Sequence, residues 1–352
     1  MNNTTKQTQK SGDNSVNVQI NHYGVSLSDT QKLVKQEVES HINIILKDNF
    51  IKLREEALAC ANNRANELTQ MFFDKLLKMP HEIFTQVLER LKAPAVQMSI
   101  LDAQKGYIKS GQRDKLEILS SLLKDKVTEN SETLKTYLID DALVVVPKLT
   151  KRHIDFLTTL LSIAISVNRV SNFESLKTIV LDKIISLCNN IQIGDNDLKY
   201  LSQLSCVEIK QMETRWELYK ILLSNYQGLF AAGLEDKDLN WPLLNKIKPG
   251  IVMPCLNNPQ KKQISALNDI VLEKQLSQCN LSVEERTQIQ TYFNKTLSKN
   301  EIITKLKEII PNIEDISSKL DKYNHIFLTP LGTLIALADY KEKFNEPVEW
   351  NF

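Results

Sequence analysis

Glycine is scarce in this chain, with 9 among 352 residues, well below average usage. Phosphate-cradling loops and doubly wound sheets consume glycine, so neither is expected here. Charge of one sign is also lacking: Lys plus Arg number 44 against 43 for Asp plus Glu, a formal net charge of +1. No global field therefore draws nucleic acid or anionic lipid, and any such contact needs a local patch. Long hydrophobic runs are missing too. The most apolar stretch, Phe156 to Val167, is broken by Thr158, Thr159, Ser162 and Ser166, and it falls short of the ~20 residues that cross a bilayer. The first dozen residues are polar, without the apolar core of a signal peptide. A soluble cytoplasmic protein with no membrane partner is expected.

Chemistry-bearing spacings are equally sparse. Cys60, Cys188, Cys206, Cys255 and Cys279 are far apart, and no pair has the two-residue spacing of zinc or redox motifs. They read as buried free thiols of a reducing compartment. His22, His41, His81, His153 and His325 are scattered; His41 and His153, beside apolar helical positions, read as packed core residues. No Gly-x-Ser-x-Gly elbow and no His-Glu-x-x-His helix occurs, so the usual nucleophile and zinc motifs are absent. Asp140-Asp141 reads as a solvated helix face. No catalytic residue, metal or cofactor is assigned, and the sequence leans away from an enzyme.

What the chain does have is one short alternating segment in an otherwise helical pattern. Val16, Val18 and Ile20 alternate with Asn17, Gln19 and Asn21, the two-residue period of a half-buried strand. A lone strand cannot satisfy its own backbone groups and needs a mate. Identical strands from other copies would stack Asn17, Gln19 and Asn21 into amide ladders, so Val16–Asn21 is the expected oligomerisation element. Two alternatives are pairing with His325–Leu328 of the same chain and a tail that orders on meeting a partner.

From Leu27 to Met79 there is no Gly or Pro. Val34, Val38, Ile42, Ile45, Leu53, Ala57, Ala61, Leu68, Phe72 and Leu76 recur at mostly three- and four-residue steps, as on one helix face. Unbroken, such a helix would run ~75 Å at ~1.5 Å per residue; a break near Asp48-Asn49 would give two ordinary helices instead. Further helices are expected at 81–92, 94–109, 113–126, 131–146, 151–167 and 173–188, punctuated by Pro80, Pro94, Gly106, Gly111 and Pro147, strong local breakers. Gly and Pro cluster again between Gly228 and Pro259, which reads as a linker. The resulting division is a tail with its strand (1–26), a long amphipathic helix (27–80), a helical core (81–230), a linker (231–262) and a C-terminal domain (263–352).

At the C-terminal end, two helices, a strand at His325–Leu328 and a helix from Pro330 follow the order of a winged-helix module. Thr329 would cap the last helix, Pro330 would take its first position, and Gly332 would allow a close approach. The second helix, Ile313–Tyr323, carries Glu314, Asp315 and Asp321 against Lys319 and Lys322, which disfavours DNA reading. If nucleic acid binds, Lys299, Lys305, Lys307, Lys319 and Lys322 are the candidate phosphate contacts. A third possibility is a Mg²⁺ nuclease, since Glu208-Ile209-Lys210 follows Asp195 and Asp197. That chemistry requires carboxylates converging at adjacent strand ends.

Gly12-Asp13-Asn14-Ser15-x-Asn17-x-Gln19, taken with Leu328-Thr329-Pro330-x-Gly332-x-x-Ile335-Ala336, resembles an uncharacterised family of bacterial helical proteins. Leaders of the Gly-Asp-Asn-Ser type also recur on proteins of bacterial conflict and phage-defence loci. The resemblance covers about the first 30 and last 40 residues and implies a defence-associated role without catalytic residues. The expectation is an all-α, multi-helical fold with a long N-terminal helix, one N-terminal strand and a winged-helix-like C-terminal subdomain. Its function would be that of a non-enzymatic homo-oligomeric interaction or sensor protein in antiphage defence. Its partners would be further copies of itself, then another defence protein or a phage component, with nucleic acid less favoured.

Overall fold

A computed structural model describes residues 27–129, 133–165, 167, 169–189, 191–210, 215–247 and 250–346. The expected strand Val16–Asn21 lies outside them. The chain divides into two compact units, Met1–Cys60 and Ala61–Phe352. Among the described residues the molecule is mostly helical, with sixteen α-helices and four three-residue strands.

The first helix, α1 (Leu27–Leu77), is continuous for 51 residues. Asp48-Asn49 does not interrupt it, as the absence of Gly and Pro allows. Next come α2 (His81–Arg90), α3 (Pro94–Ser110), α4 (Arg113–Thr128), α5 (Leu134–Val145) and α6 (Lys151–Ala164). The breakers act as their chemistry dictates. Pro94 opens α3 where a missing N–H costs nothing. Gly111 closes α3 at φ 60°, in the left-handed region that suits glycine. Thr150 caps α6, its hydroxyl accepting from the His153 backbone while the His153 ring accepts from the Thr150 N–H.

A helix over 173–188 is present as α7 (Phe173–Leu176), a π-helical stretch Lys177–Leu181 and α8 (Asp182–Cys188). Then follow α9 (Asp195–Gln203), strand β1 (Val207–Ile209), α10 (Leu218–Asn225) and α11 (Trp241–Leu244). Strands β2 (Val252–Pro254) and β3 (Lys262–Ile264) pair antiparallel. Among the described residues of the Gly- and Pro-rich segment, Pro242 lies in the first turn of α11, Pro254 ends β2 and Pro259 lies between β2 and β3. Helix α12 (Asp269–Leu276) follows, its start capped by the Asn268 side chain, which accepts from the Val271 N–H. The chain goes on through α13 (Val283–Phe293), α14 (Lys299–Ile309), α15 (Ile313–Asp321), β4 (Ile326–Leu328) and α16 (Pro330–Phe344). Ser282 with Glu285, and Ser298 with Glu301, form reciprocal capping boxes at α13 and α14, each worth about 1 kcal/mol.

The unit Ala61–Phe352 holds three apolar clusters. The first gathers Leu68, Phe72 and Leu76 with α3–α6, β1, β4 and α16. The second joins α8, α10, α14 and α15 around Leu222, Tyr226 and Phe230. The third surrounds Leu244, Ile264 and Leu272. In α6, every residue from His153 to Ile163 is buried. This explains the most apolar run in the sequence, because a helix enclosed on all sides has no face to leave polar. Its hydroxyls are satisfied locally: Thr159 donates to the Asp155 carbonyl (2.8 Å) and Ser162 to that of Thr158 (2.7 Å).

Strand β4 pairs antiparallel with β1, Val207 opposite Leu328 and Ile209 opposite Ile326. Among the described residues the mate of Ile326–Leu328 is β1; the alternative pairing with Val16–Asn21 falls on residues outside them. Thr329 caps α16 by accepting from the Gly332 N–H (3.0 Å). A Cβ added at Gly332 would stand 1.8 Å from the Cys206 carbonyl oxygen. The expected close neighbour of this glycine is therefore the approach to β1. Helix α16 packs on α6, α5 and α4, while α14 and α15 belong to the second cluster.

Candidate functional site

In the unit Met1–Cys60 the only described element is the first part of α1. Among its described side chains, Phe50 is 72% exposed, Leu53 60% and Leu58 54%, with Val38, Ile42 and Ile51 at half. Every residue from Lys47 to Cys60 is exposed. One Leu on a surface is ordinary; here six large apolar residues within 21 positions of one helix are exposed. The helix interrupts them with Lys47, Lys52, Arg54, Glu55 and Glu56, charges that keep such a surface hydrated until it is covered.

The five candidate phosphate-binding lysines do not form a patch of unopposed charge. Lys299 reaches Glu217 (3.2 Å), Lys305 reaches Glu308 (2.8 Å) and Lys307 reaches Glu314 (2.8 Å). Glu217, hydrogen-bonded by Lys220 and Lys299, has its carboxyl held below the ordinary range. Lys319 on α15 and Lys322 just beyond it are exposed.

The nuclease-like residues are dispersed among other tasks. Glu208 pairs with Lys210 across 3.5 Å. Asp197 accepts from the Gly194 N–H (3.0 Å), and its Oδ1 meets His153 Nε2 (2.9 Å) and Arg152 (2.8 Å). These contacts, the Gly194 hydrogen bond foremost, hold the Asp197 carboxyl below the usual range. His153 receives the Thr150 N–H on Nδ1 (3.2 Å), so Nε2 carries the proton toward Asp197. Both ring nitrogens are occupied and the ring is a core fixture. Among the described residues no three His, Cys, Asp or Glu side chains gather as a metal site needs. Asp140 is tied to Lys126 (2.7 Å) and Ser99 (2.7 Å).

One polar cluster escaped sequence reasoning. Lys343 of α16 binds Asp155 of α6 (2.5 Å) and Asp339, and Thr158 donates to Asp339 (2.5 Å). Burial pushes the Asp339 carboxyl up, against the pull of Lys343. Burial also works against the Lys343 ammonium, but Asp339 and Asp155 outweigh it and hold it above the ordinary lysine range. The available signal was a lone acid within the apolar run Leu331–Tyr340 with a lysine four residues on. Two carboxylates sharing one ammonium fix α16 on α6 and leave no group free to act on a substrate.

A cavity of about 590 Å³ is lined by Leu161, Ile165, Trp216, Ile221, Phe327 and Thr333, among others. Its polar atoms are already engaged, Trp216 Nε1 with the Ile326 carbonyl (3.3 Å) and Thr333 with that of Thr329 (2.8 Å).

A protein-family model matches residues 33–352, and the chain belongs to that family, whose description carries no activity. The match includes the Leu328–Ala336 motif and the helical middle, and it begins after the Gly12–Gln19 leader. No curated protein and no solved structure matches the chain.

Proposed function

We propose that the protein acts by assembling with copies of itself, as a non-enzymatic interaction or sensor protein. The observation that carries this reading is the set of bare apolar side chains on α1, from Val38 to Leu58. The alternating segment Val16–Asn21 supports it, because a strand directly ahead of that helix needs a mate. A role in bacterial antiphage defence in the cytoplasm, with a phage component or a second defence protein as trigger, follows from the resemblance of the Gly12–Gln19 leader.

Light scattering on the full chain tests the reading. The wild type is expected well above its 40.3 kDa monomer mass, and Ile42→Glu/Leu53→Glu is expected to lower that mass. Replacing Val16, Val18 and Ile20 by Asp separates the contribution of the strand from that of the helix. A wild type that stays monomeric at micromolar concentration overturns the reading.

The second reading is nucleic-acid binding through a winged-helix-like C-terminal end. It is favoured by the order α14, α15, β4, α16 and weakened by the carboxylates facing Lys299, Lys305 and Lys307. A gel shift at low salt that fades as salt rises would establish it.

A further inference from the structure

The cavity of about 590 Å³ between α6, α10 and β4 has the size of a small-molecule site, which runs roughly 300–1,000 Å³. No charged side chain is among the described residues that line it. Its few polar groups are spent on the backbone. Besides Trp216 Nε1 and the Thr333 hydroxyl, Asn225 donates through Nδ2 to the carbonyls of Ile163 (3.5 Å), Ala164 (3.3 Å) and Ile165 (3.4 Å). A buried water needs about two to four polar partners and finds few here, so the space favours apolar contents. It also reaches the surface, since the lining residues Ala164 and Ile270 are exposed, Ile270 at 78%.

Size sets what fits. A methylene group takes about the 30 Å³ share of a liquid water molecule, so the cavity accepts one chain of about 12–16 carbons. The two chains of a membrane lipid exceed it. A cation stands beside the lining: Lys210 Nζ lies 4.9 Å from the centre of the ring of Phe327, a lining residue. Lys210 is otherwise paired with Glu208 at 3.5 Å, and both side chains are partly exposed. Such a surface pair is worth little, which leaves the ammonium able to exchange Glu208 for a carboxylate brought by a ligand.

We infer that the cavity binds one free fatty acid, its chain among Leu161, Ile163, Trp216 and Ile221 and its carboxylate at Lys210. This binding needs no contact between copies, so it stands or falls apart from self-association.

Trp216 reports on the cavity, while Trp241 packs against the third apolar cluster. Dodecanoate brominated at its terminal carbon, added to the full-length protein below its micelle concentration, is expected to quench tryptophan fluorescence to saturation at one molecule per chain. The quenching is expected to be lost in Trp216→Phe and kept in Trp241→Phe. When bromine-free acids from octanoate to dodecanoate displace the probe, each added methylene should tighten binding about fourfold. Lys210→Ala should weaken dodecanoate several-fold and leave dodecanol unchanged. Ala164→Phe, which narrows the opening from an exposed position, should weaken both; if it disturbs folding, Ile270→Asp at the exposed rim serves the same purpose. Quenching that persists in Trp216→Phe, or affinity that ignores chain length, overturns the inference. Equal effects of Lys210→Ala on acid and alcohol overturn the placement of the carboxylate. Quenching by vesicles of brominated phosphatidylcholine, with none by the monomeric acid, points to membrane contact and overturns the inference as well.

Discussion

Leu68, Phe72 and Leu76 are all but inaccessible, at 0–1% exposure, whereas Phe50, Leu53 and Leu58 of the same helix are more than half exposed. Residue type does not separate the two stretches: each is a Leu- and Phe-containing helical segment broken by charges. What separates them is company. Residues 68–76 meet the first apolar cluster, where Arg64 also donates to the Ile108 carbonyl (2.7 Å) and Lys75 binds Glu342 (2.6 Å). Phe50, Leu53 and Leu58 belong to none of the three apolar clusters. Apolar content thus specifies that a helix seeks a cover, and only the arrangement of other elements says whether the cover is internal.

The strongest way to break this contrast is to truncate one aromatic ring in each stretch. Phe72→Ala should lower the unfolding free energy by about 3–5 kcal/mol through a core cavity. Phe50→Ala should change it by no more than about 0.5 kcal/mol in the monomer. Urea denaturation of both variants at low concentration measures the difference, and equal losses would place Phe50 in a core of its own.

The core that covers Phe72 also depends on charge pairing. Lys343→Ala leaves the buried Asp339 with only the Thr158 hydroxyl and Asp155 with Lys151 at 3.6 Å, and should cost about 3 kcal/mol or more. The same denaturation curves measure this; a small loss would mean that water reaches the pair. In the wild type the Lys343 contribution is full below the ordinary lysine range and fades as pH rises through its raised value.

Gly332→Ala should cost about 1–3 kcal/mol, since the new methyl group must push the Cys206 carbonyl aside. The melting temperature should fall accordingly. The smallest effect concerns acid. Asp197, held below the usual carboxylate range, contributes stability that is complete above its ordinary value and disappears as pH falls through its depressed one. Asp197→Asn should therefore flatten the acid side of the stability profile, as read from melting temperature against pH.

Much of the helical frame was legible because its punctuation is local. Pro94, Gly111 and Pro147 mark element ends through the backbone of a few residues. The cover of β4 was not legible. Its mate, Val207–Ile209, is three residues long, too short for alternation to register, and Glu208-Ile209-Lys210 drew notice for a different chemistry. Residues 231–262 resembled a linker for a related reason: turns use the same Gly and Pro that flexible segments use, and the hairpin between them spends few residues. The Asp155–Lys343–Asp339 cluster joins residues about 190 positions apart, a contact no single periodicity encodes. The bare stretch of α1 was legible as apolar but not as uncovered.

The ladder between Val207–Ile209 and Ile326–Leu328 also sets a timetable for the growing polypeptide. Helix α6, buried around its circumference in the finished fold, leaves the ribosome well before α16 exists to complete its enclosure. Nascent chains halted before residue 326 should therefore bind chaperones strongly and release them once α16 is made.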